Sequence, residues 1–138
     1  MNDSLKNKLK SNALTLGSWI TLGHPSIAEI LASAGYDWLV VDLEHTTISI
    51  EQAGELIRVI DLCGVAPLVR LTSNHPDQIK RVMDAGAHGI VVPMVNSVED
   101  AARAVAATRY APQGIRGVGL ARAQKFGTGF SDYLQWQK

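Results

Sequence analysis

A chain of 138 residues has the size of one ordinary domain, and at 46% hydrophobic it can bury a real core and is not a disordered chain. Thirteen basic residues balance thirteen acidic ones, which argues against nucleic-acid or membrane-surface binding driven by bulk charge. The single cysteine, Cys63, excludes an internal disulfide framework and suits a reducing compartment, so the cytoplasm is the expected location. No apolar run approaches the ~20 residues of a membrane span, and the polar start "MNDSLKNKLKSN" does not read as a secretory signal.

One unit then recurs. The apolar run "LGSWITL" (16–22) leads to His24 and to a helix start, with Ser26 and Glu29 at capping-box spacing and Gly35 as its stop. The run "WLVVDL" (38–43) is followed by Ser49 and Gln52, again a capping box, by the stripe Ala53, Leu56, Ile57 and Ile60, and by Gly64. The run "APLVRL" (66–71) precedes Pro76, which suits a first helical turn, the stripe Ile79, Val82 and Met83, and Gly86. The run "GIVVPM" (89–94) precedes Ser97, a cap with Glu99 and Asp100 favourably placed in the first turn, and the stripe Val98, Ala101, Ala102 and Val105. The runs are short, rich in Val, Ile and Leu, and mostly lack alternation, as strands buried on both faces do. Pro93 is tolerable near a strand end.

Strand–helix alternation with short links means parallel βαβ units, and four precede Arg109. Two architectures fit: a flavodoxin-like doubly wound sheet, or half of a (β/α)₈ barrel, whose whole needs ~250 residues. The tail (109–138) has five glycines from Gly114 to Gly129, together with Arg109, Arg116, Arg122 and Lys125. It shows no clear fifth strand, which disfavours the doubly wound reading. The stretch "SDYLQW" reads as a short helix capped by Ser131. Such a long glycine-rich loop is usually functional or contacts a partner.

Both architectures put chemistry at the C-terminal ends of strands. There, "VVDLEH" sets Asp42, Glu44 and His45 where an apolar run stops. Asp42 and Glu44 share a face in extended chain; His45 joins them only if the chain turns. Imidazole titrates near neutrality and serves as a general base, although a histidine at a strand end is as often a plain surface residue. Arg70, one residue from the end of a buried strand, needs an anion. That anion is either Asp42 or Glu44 on the neighbouring strand or a substrate carboxylate. His24 and His75 precede prolines at helix starts, where capping accounts for them; His88 reads as a surface residue and Cys63 as helix packing. No HExxH, CxxC, P-loop or GxSxG pattern occurs, and "GIRGVG" lacks dinucleotide-fingerprint spacing.

The blocks "GYDWLVVDLEH", "LVRL", "RVMDAGAHGIVVPMV" and "RYAPQGIRGVGLARAQKFG", in this order, closely resemble the 4-hydroxy-2-oxoheptane-1,7-dioate aldolase family. These are class II pyruvate aldolases of the phosphoenolpyruvate/pyruvate barrel superfamily. The resemblance implies a (β/α)₈ barrel, here its N-terminal half as one partial domain (1–138), and cleavage of 4-hydroxy-2-oxo acids to pyruvate and an aldehyde. It implies a divalent ion (Mg²⁺, Mn²⁺ or Co²⁺) that stabilises the enolate, with its Glu and Asp ligands beyond Lys138 and none in this chain. Matched by motif, His45 is implied as general base, Arg70 as the oxo-acid-binding arginine, Asp84 of "MDAGA" as the acid paired with the histidine, and Asp42 and Glu44 as supporting carboxylates. Asp84 falls at the end of a helix, away from His45, so the resemblance suggests a homo-oligomer in which Asp84 serves a neighbouring subunit's site. The expected partner is a small 2-oxo acid, with no nucleic acid and no membrane. The 138 residues alone are expected to lack aldolase activity. The rival readings are a non-catalytic half-barrel assembly module and a flavodoxin-like binding or signalling domain.

Overall fold

The computed structural model describes residues 4–137. An N-terminal helix α1 (Ser4–Lys10) precedes four βα units: β1 (Gly17–Ile20) with α2 (Pro25–Ala32), β2 (Trp38–Asp42) with α3 (Ile50–Leu62), β3 (Ala66–Arg70) with α4 (Pro76–Asp84), and β4 (Gly89–Val91) with α5 (Val98–Thr108). A kinked 3₁₀ segment (Arg122–Gly127) and helix α6 (Phe130–Trp136) complete the tail. The strands form one parallel sheet in the order β1-β2-β3-β4. A doubly wound sheet must reverse its strand order to place helices on both faces. Here each crossover advances one strand the same way, and right-handed crossovers then put the helices on one face. Neighbouring helices pack accordingly, α2 on α3, α3 on α4 and α4 on α5. This is the first half of a (β/α)₈ barrel. The flavodoxin-like alternative fails on strand order and on the absence of a fifth sheet strand among the described residues.

Register sorts the side chains into two layers. Ile20, Val41, Val69 and Ile90 are matched across the four strands and face the helices. There they join Ala28, Ala53, Leu56, Ile57, Ile60, Ile79 and Val82, all fully buried. Each large member contributes about 1.5–3 kcal/mol of apolar burial. Trp19, Val40 and Leu68 occupy the other layer, on the opposite face of the sheet, followed at the strand ends by Asp42 and Arg70. On that face the Trp38 indole lies against Gly17: a Cβ at Gly17 would sit 2.0 Å from the ring.

The caps are largely those the spacing implies. Ser49 and Gln52 form a reciprocal capping box, Ser97 accepts from the Asp100 amide, and Gly35, Gly64 and Gly86 end helices at φ of +85°, +81° and +107°. His24 Nδ1 and His75 Nδ1 accept from the amides of Ser26 and Asp77, so both histidines are indeed caps. Ser26 is therefore inside α2 and does not cap it, because the histidine one residue before the proline already fills that place. Ser131 likewise lies inside α6, whose N-cap is Gly129.

Three further expectations are corrected. On α5 the buried residues are Ala104 and Ala107, whereas Val98, Ala101, Ala102 and Val105 are exposed; the helix meets α4 through its small residues and turns the apolar stripe outward. Cys63 is exposed at the C-cap of α3. The His88 side chain is only 5% exposed, 3.1 Å from Asp61 Oδ1 and tilted against Trp136. The polar start also conceals α1, which the tail and the β2 entry tie down: Lys6 Nζ donates to the Trp136 carbonyl (2.6 Å) and Lys8 Nζ to Asp37 (2.5 Å).

Replacing Gly17 by alanine drives a methyl group into the Trp38 ring and should destabilise the fold by about 1–3 kcal/mol. Urea unfolding should show this as a lower midpoint with an unchanged slope.

Candidate active site

Strands β2 and β3 end side by side, with Asp42 and Arg70 as register partners. The chain turns at once after Asp42. Asp42 Oδ1 accepts from the amides of Glu44 (2.9 Å) and His45 (3.4 Å), and Thr46 Oγ1 donates back to the Asp42 carbonyl (2.5 Å). This is how an aspartate terminates a strand: its short side chain satisfies amides that a further strand residue would have paired. The turn brings Glu44 and His45 back over the strand end.

Arg70 is gripped along one edge. Its Nε donates to Asp42 Oδ1 (2.8 Å) and its Nη2 to Asp42 Oδ2 (2.6 Å), a bidentate fork, while Glu44 Oε2 stands 3.3 Å from Nε. The other oxygen of Glu44 lies 3.6 Å from His45 Nε2. One carboxylate thus bridges guanidinium and imidazole. The Asp42 side chain is 3% exposed, that of Arg70 25%, and that of His45 70%. The hydrogen bonds from Arg70, reinforced by the two backbone amides, outweigh burial and hold the Asp42 carboxyl down at about 2. The same hydrogen bond with Asp42 raises the Arg70 pKa against the opposing effect of burial. Both of the anions the sequence left open within the chain therefore meet Arg70.

Asp84 is not part of this group. It ends α4, at the opposite end of its βα unit, and its Oδ1 accepts from Arg116 Nη2 (2.6 Å). Arg116 is wholly buried, stacked between Tyr110 and Tyr133, and donates to the Tyr133 hydroxyl (2.7 Å). Arg122 of the tail makes the parallel contact one helix earlier, donating to Asp61 near the end of α3 (2.6 Å). Two tail arginines thus clamp the carboxylates at two successive helix ends.

The residues present do not by themselves fit a divalent ion. Both oxygens of Asp42 bind the guanidinium, those of Glu44 face Arg70 and His45, and among the described residues no three His, Cys, Asp or Glu side chains gather as a ligand set.

Sequence reasoning missed Trp19, whose ring centroid lies 4.5 Å from the Arg70 guanidinium carbon. The usable signal was parity. Trp19 is the register partner of Val40, two residues before Asp42 and so on the same face. The Tyr110, Gln124 and Tyr133 cluster that holds Arg116 was also missed, because an aromatic spaced irregularly in a glycine-rich tail gives no periodic signal.

A half-barrel carrying a clamped arginine and an exposed imidazole at its C-terminal rim belongs to the class of βα-barrel proteins that put polar chemistry at strand ends. The family model of the HpcH/HpaI aldolase/citrate lyases matches residues 15–129, and the chain belongs to that family. It is 42% identical over 137 residues to a 4-hydroxy-2-oxo-heptane-1,7-dioate aldolase of Shigella sonnei, covering 98% of this chain and 52% of that protein. Among solved structures it is similar to an HpcH/HpaI aldolase/citrate lyase family protein of Burkholderia cenocepacia (TM-score 0.87, 39% identity, 97% of this chain and 55% of the other). An HpcH/HpaI aldolase of Desulfitobacterium hafniense is similar at a TM-score of 0.87 and 32% identity, with 96% and 52% covered. The chain spans about half the length of these relatives.

Asp42→Asn leaves the guanidinium without its bidentate partner and should cost about 1–3 kcal/mol of stability. In the native chain the depressed Asp42 pKa contributes about 2 kcal/mol at neutral pH. The contribution is complete above the ordinary carboxylate value of 3.8 and is lost as pH falls toward 2. Denaturant titrations of native and Asp42→Asn chains between pH 6 and pH 2 should therefore converge at the acid end.

Proposed function

We propose that this chain supplies the base and the anion-binding half of an aldolase site that cleaves 4-hydroxy-2-oxo acids to pyruvate and an aldehyde, in the cytoplasm. The observation that carries the reading is Glu44, whose two oxygens lie 3.6 Å from the His45 imidazole and 3.3 Å from the Arg70 guanidinium at one strand-end rim. Family membership and the named aldolase relative give the reaction class.

In this reading Arg70 keeps one edge for the substrate. Its Nε and Nη2 are held by carboxylates, and Nη1 is left to meet the carboxylate or the 2-oxo oxygen of the oxo acid. His45, exposed on the same rim, takes the proton from the 4-hydroxyl. The C3–C4 bond then breaks, the aldehyde leaves, and the electron pair passes into the enolate of pyruvate, whose negative charge Arg70 offsets. Return of a proton to C3 gives pyruvate. A divalent ion, when bound, would further stabilise the enolate oxygen, but the carboxylates at this rim are engaged with Arg70 and His45 and do not offer themselves as its ligands.

Asp84 serves another copy in this reading. It is remote from His45 of its own chain, and Arg116 holds it by a hydrogen bond at the rim opposite. A homo-oligomer that sets Asp84 of one subunit against His45 of the next would complete the base.

In 15N spectra of this chain, pyruvate should shift the Arg70 Nε–H and His45 ring signals, and in Arg70→Met, which has no Nε–H at this position, the His45 shift should be lost. Unperturbed signals at saturating pyruvate would refute the reading. In an assembly that cleaves 4-hydroxy-2-oxo acids, His45→Ala should lower kcat by about 10²–10⁴-fold, the usual worth of a general base. Mixing His45→Ala with Asp84→Asn subunits should restore part of that loss, which a site built within one subunit would not allow.

A further inference from the structure

Trp19 is 43% exposed although it sits on a strand of an otherwise well-packed sheet, and its neighbour in register, Val40, is buried. Its ring is spent on Arg70, two strands away, whose guanidinium carbon lies 4.5 Å from the ring centroid. We propose that Trp19 is a positioning residue: it acts on the oxo acid through Arg70, holding the guanidinium in one plane so that the Nη1 edge stays presented to the site. The inference rests on the reading that Arg70 binds the oxo acid.

The argument turns on what the carboxylates leave loose. A guanidinium is a planar fork of five N–H donors. Asp42 takes Nε and Nη2, and Glu44 stands beside Nε, so one edge is fixed. Contacts along a single edge act as a hinge, and the plane can still rock about it. Arg70 remains 25% exposed, at the end of a long side chain. A ring laid on one face stops the rocking, by cation–π attraction and by shape. It also blocks approach from that face. An incoming carboxylate is then confined to the remaining edge and the open face.

An aliphatic side chain of similar reach can fill the space of an indole but has no π face. The test therefore compares the native chain with Trp19→Phe and Trp19→Leu, using oxalate, a planar dianion, as the probe. In the absence of any ligand, the Arg70 Nε–H resonance should carry the upfield ring-current shift of a stacked guanidinium in the native and Trp19→Phe chains and lose it in Trp19→Leu. By calorimetric titration, oxalate affinity should fall about tenfold in Trp19→Leu and less than threefold in Trp19→Phe. Should Trp19→Leu not fold, uniform fluorination of the tryptophans weakens the ring face without changing its shape. Affinity should then drop stepwise with fluorine number in the native chain and stay level in Trp19→Phe.

An unmoved Arg70 resonance in Trp19→Leu, equal losses in the Leu and Phe variants, or affinity indifferent to fluorination would each overturn the proposal. Oxalate binding that survives Arg70→Met would sink the oxo-acid reading of Arg70 instead, whatever the resonance of the ligand-free protein shows.

Discussion

The Asp42–Arg70 ion pair organises the C-terminal rim of this sheet. It forms between register partners on adjacent parallel strands, so it exists only because β2 and β3 end together. The same carboxylate terminates β2 and starts the turn that carries Glu44 and His45. One buried aspartate thus sets a strand end, a loop conformation and the orientation of a guanidinium. A buried pair is weak evidence for net stability, because desolvation offsets much of its attraction. Its value here is geometric. Among the described residues it leaves the Arg70 Nη1 edge without a hydrogen-bond partner, and Glu44 lies between the guanidinium and an imidazole.

The opposite rim is built by different means. There the glycine-rich tail folds back under the half-barrel and hooks its arginines onto the carboxylates that end α3 and α4. Gly86 makes room for this: a Cβ there would lie 2.4 Å from an Arg122 nitrogen. The tail pays in backbone strain, with Lys125 and Phe126 both in the left-handed region, at φ of 49° and 54°, where non-glycine residues are uncommon. The result pins Asp84 and Asp61 at this end, while His45 and Arg70 sit at the other. The two rims are divided between anchoring and chemistry, as in other βα-barrels.

The sequence settled much of this. Periodicity, capping boxes and glycine stops located four βα units to within three residues, because each signal depends on neighbours three or four positions away. The candidate residues at the ends of β2 and β3 were legible for the same reason: charge at the end of an apolar run marks a strand end. Which anion Arg70 meets was not legible, since that depends on strand register. Nor was the outward turn of the α5 stripe: helical spacing shows that a helix has an apolar face but not that this face finds a neighbour. His88 was misjudged because burial of a loop histidine depends on Asp61 and Trp136, distant in sequence and adjacent only once the tail has docked.

Local order and residue chemistry, then, belonged to the sequence alone: the elements, their caps, the polar cluster after β2 and the arginine ending β3. Tertiary structure decided the pairings. It gave Asp42 to Arg70, Asp84 to Arg116 and the Trp19 ring to the guanidinium, choices that hang on strand order and on how a tail packs. The reason is range. Helix and turn energies are set within a few residues of chain, whereas an ion pair or a stacked ring is set by which distant segments the buried core brings within a few ångströms.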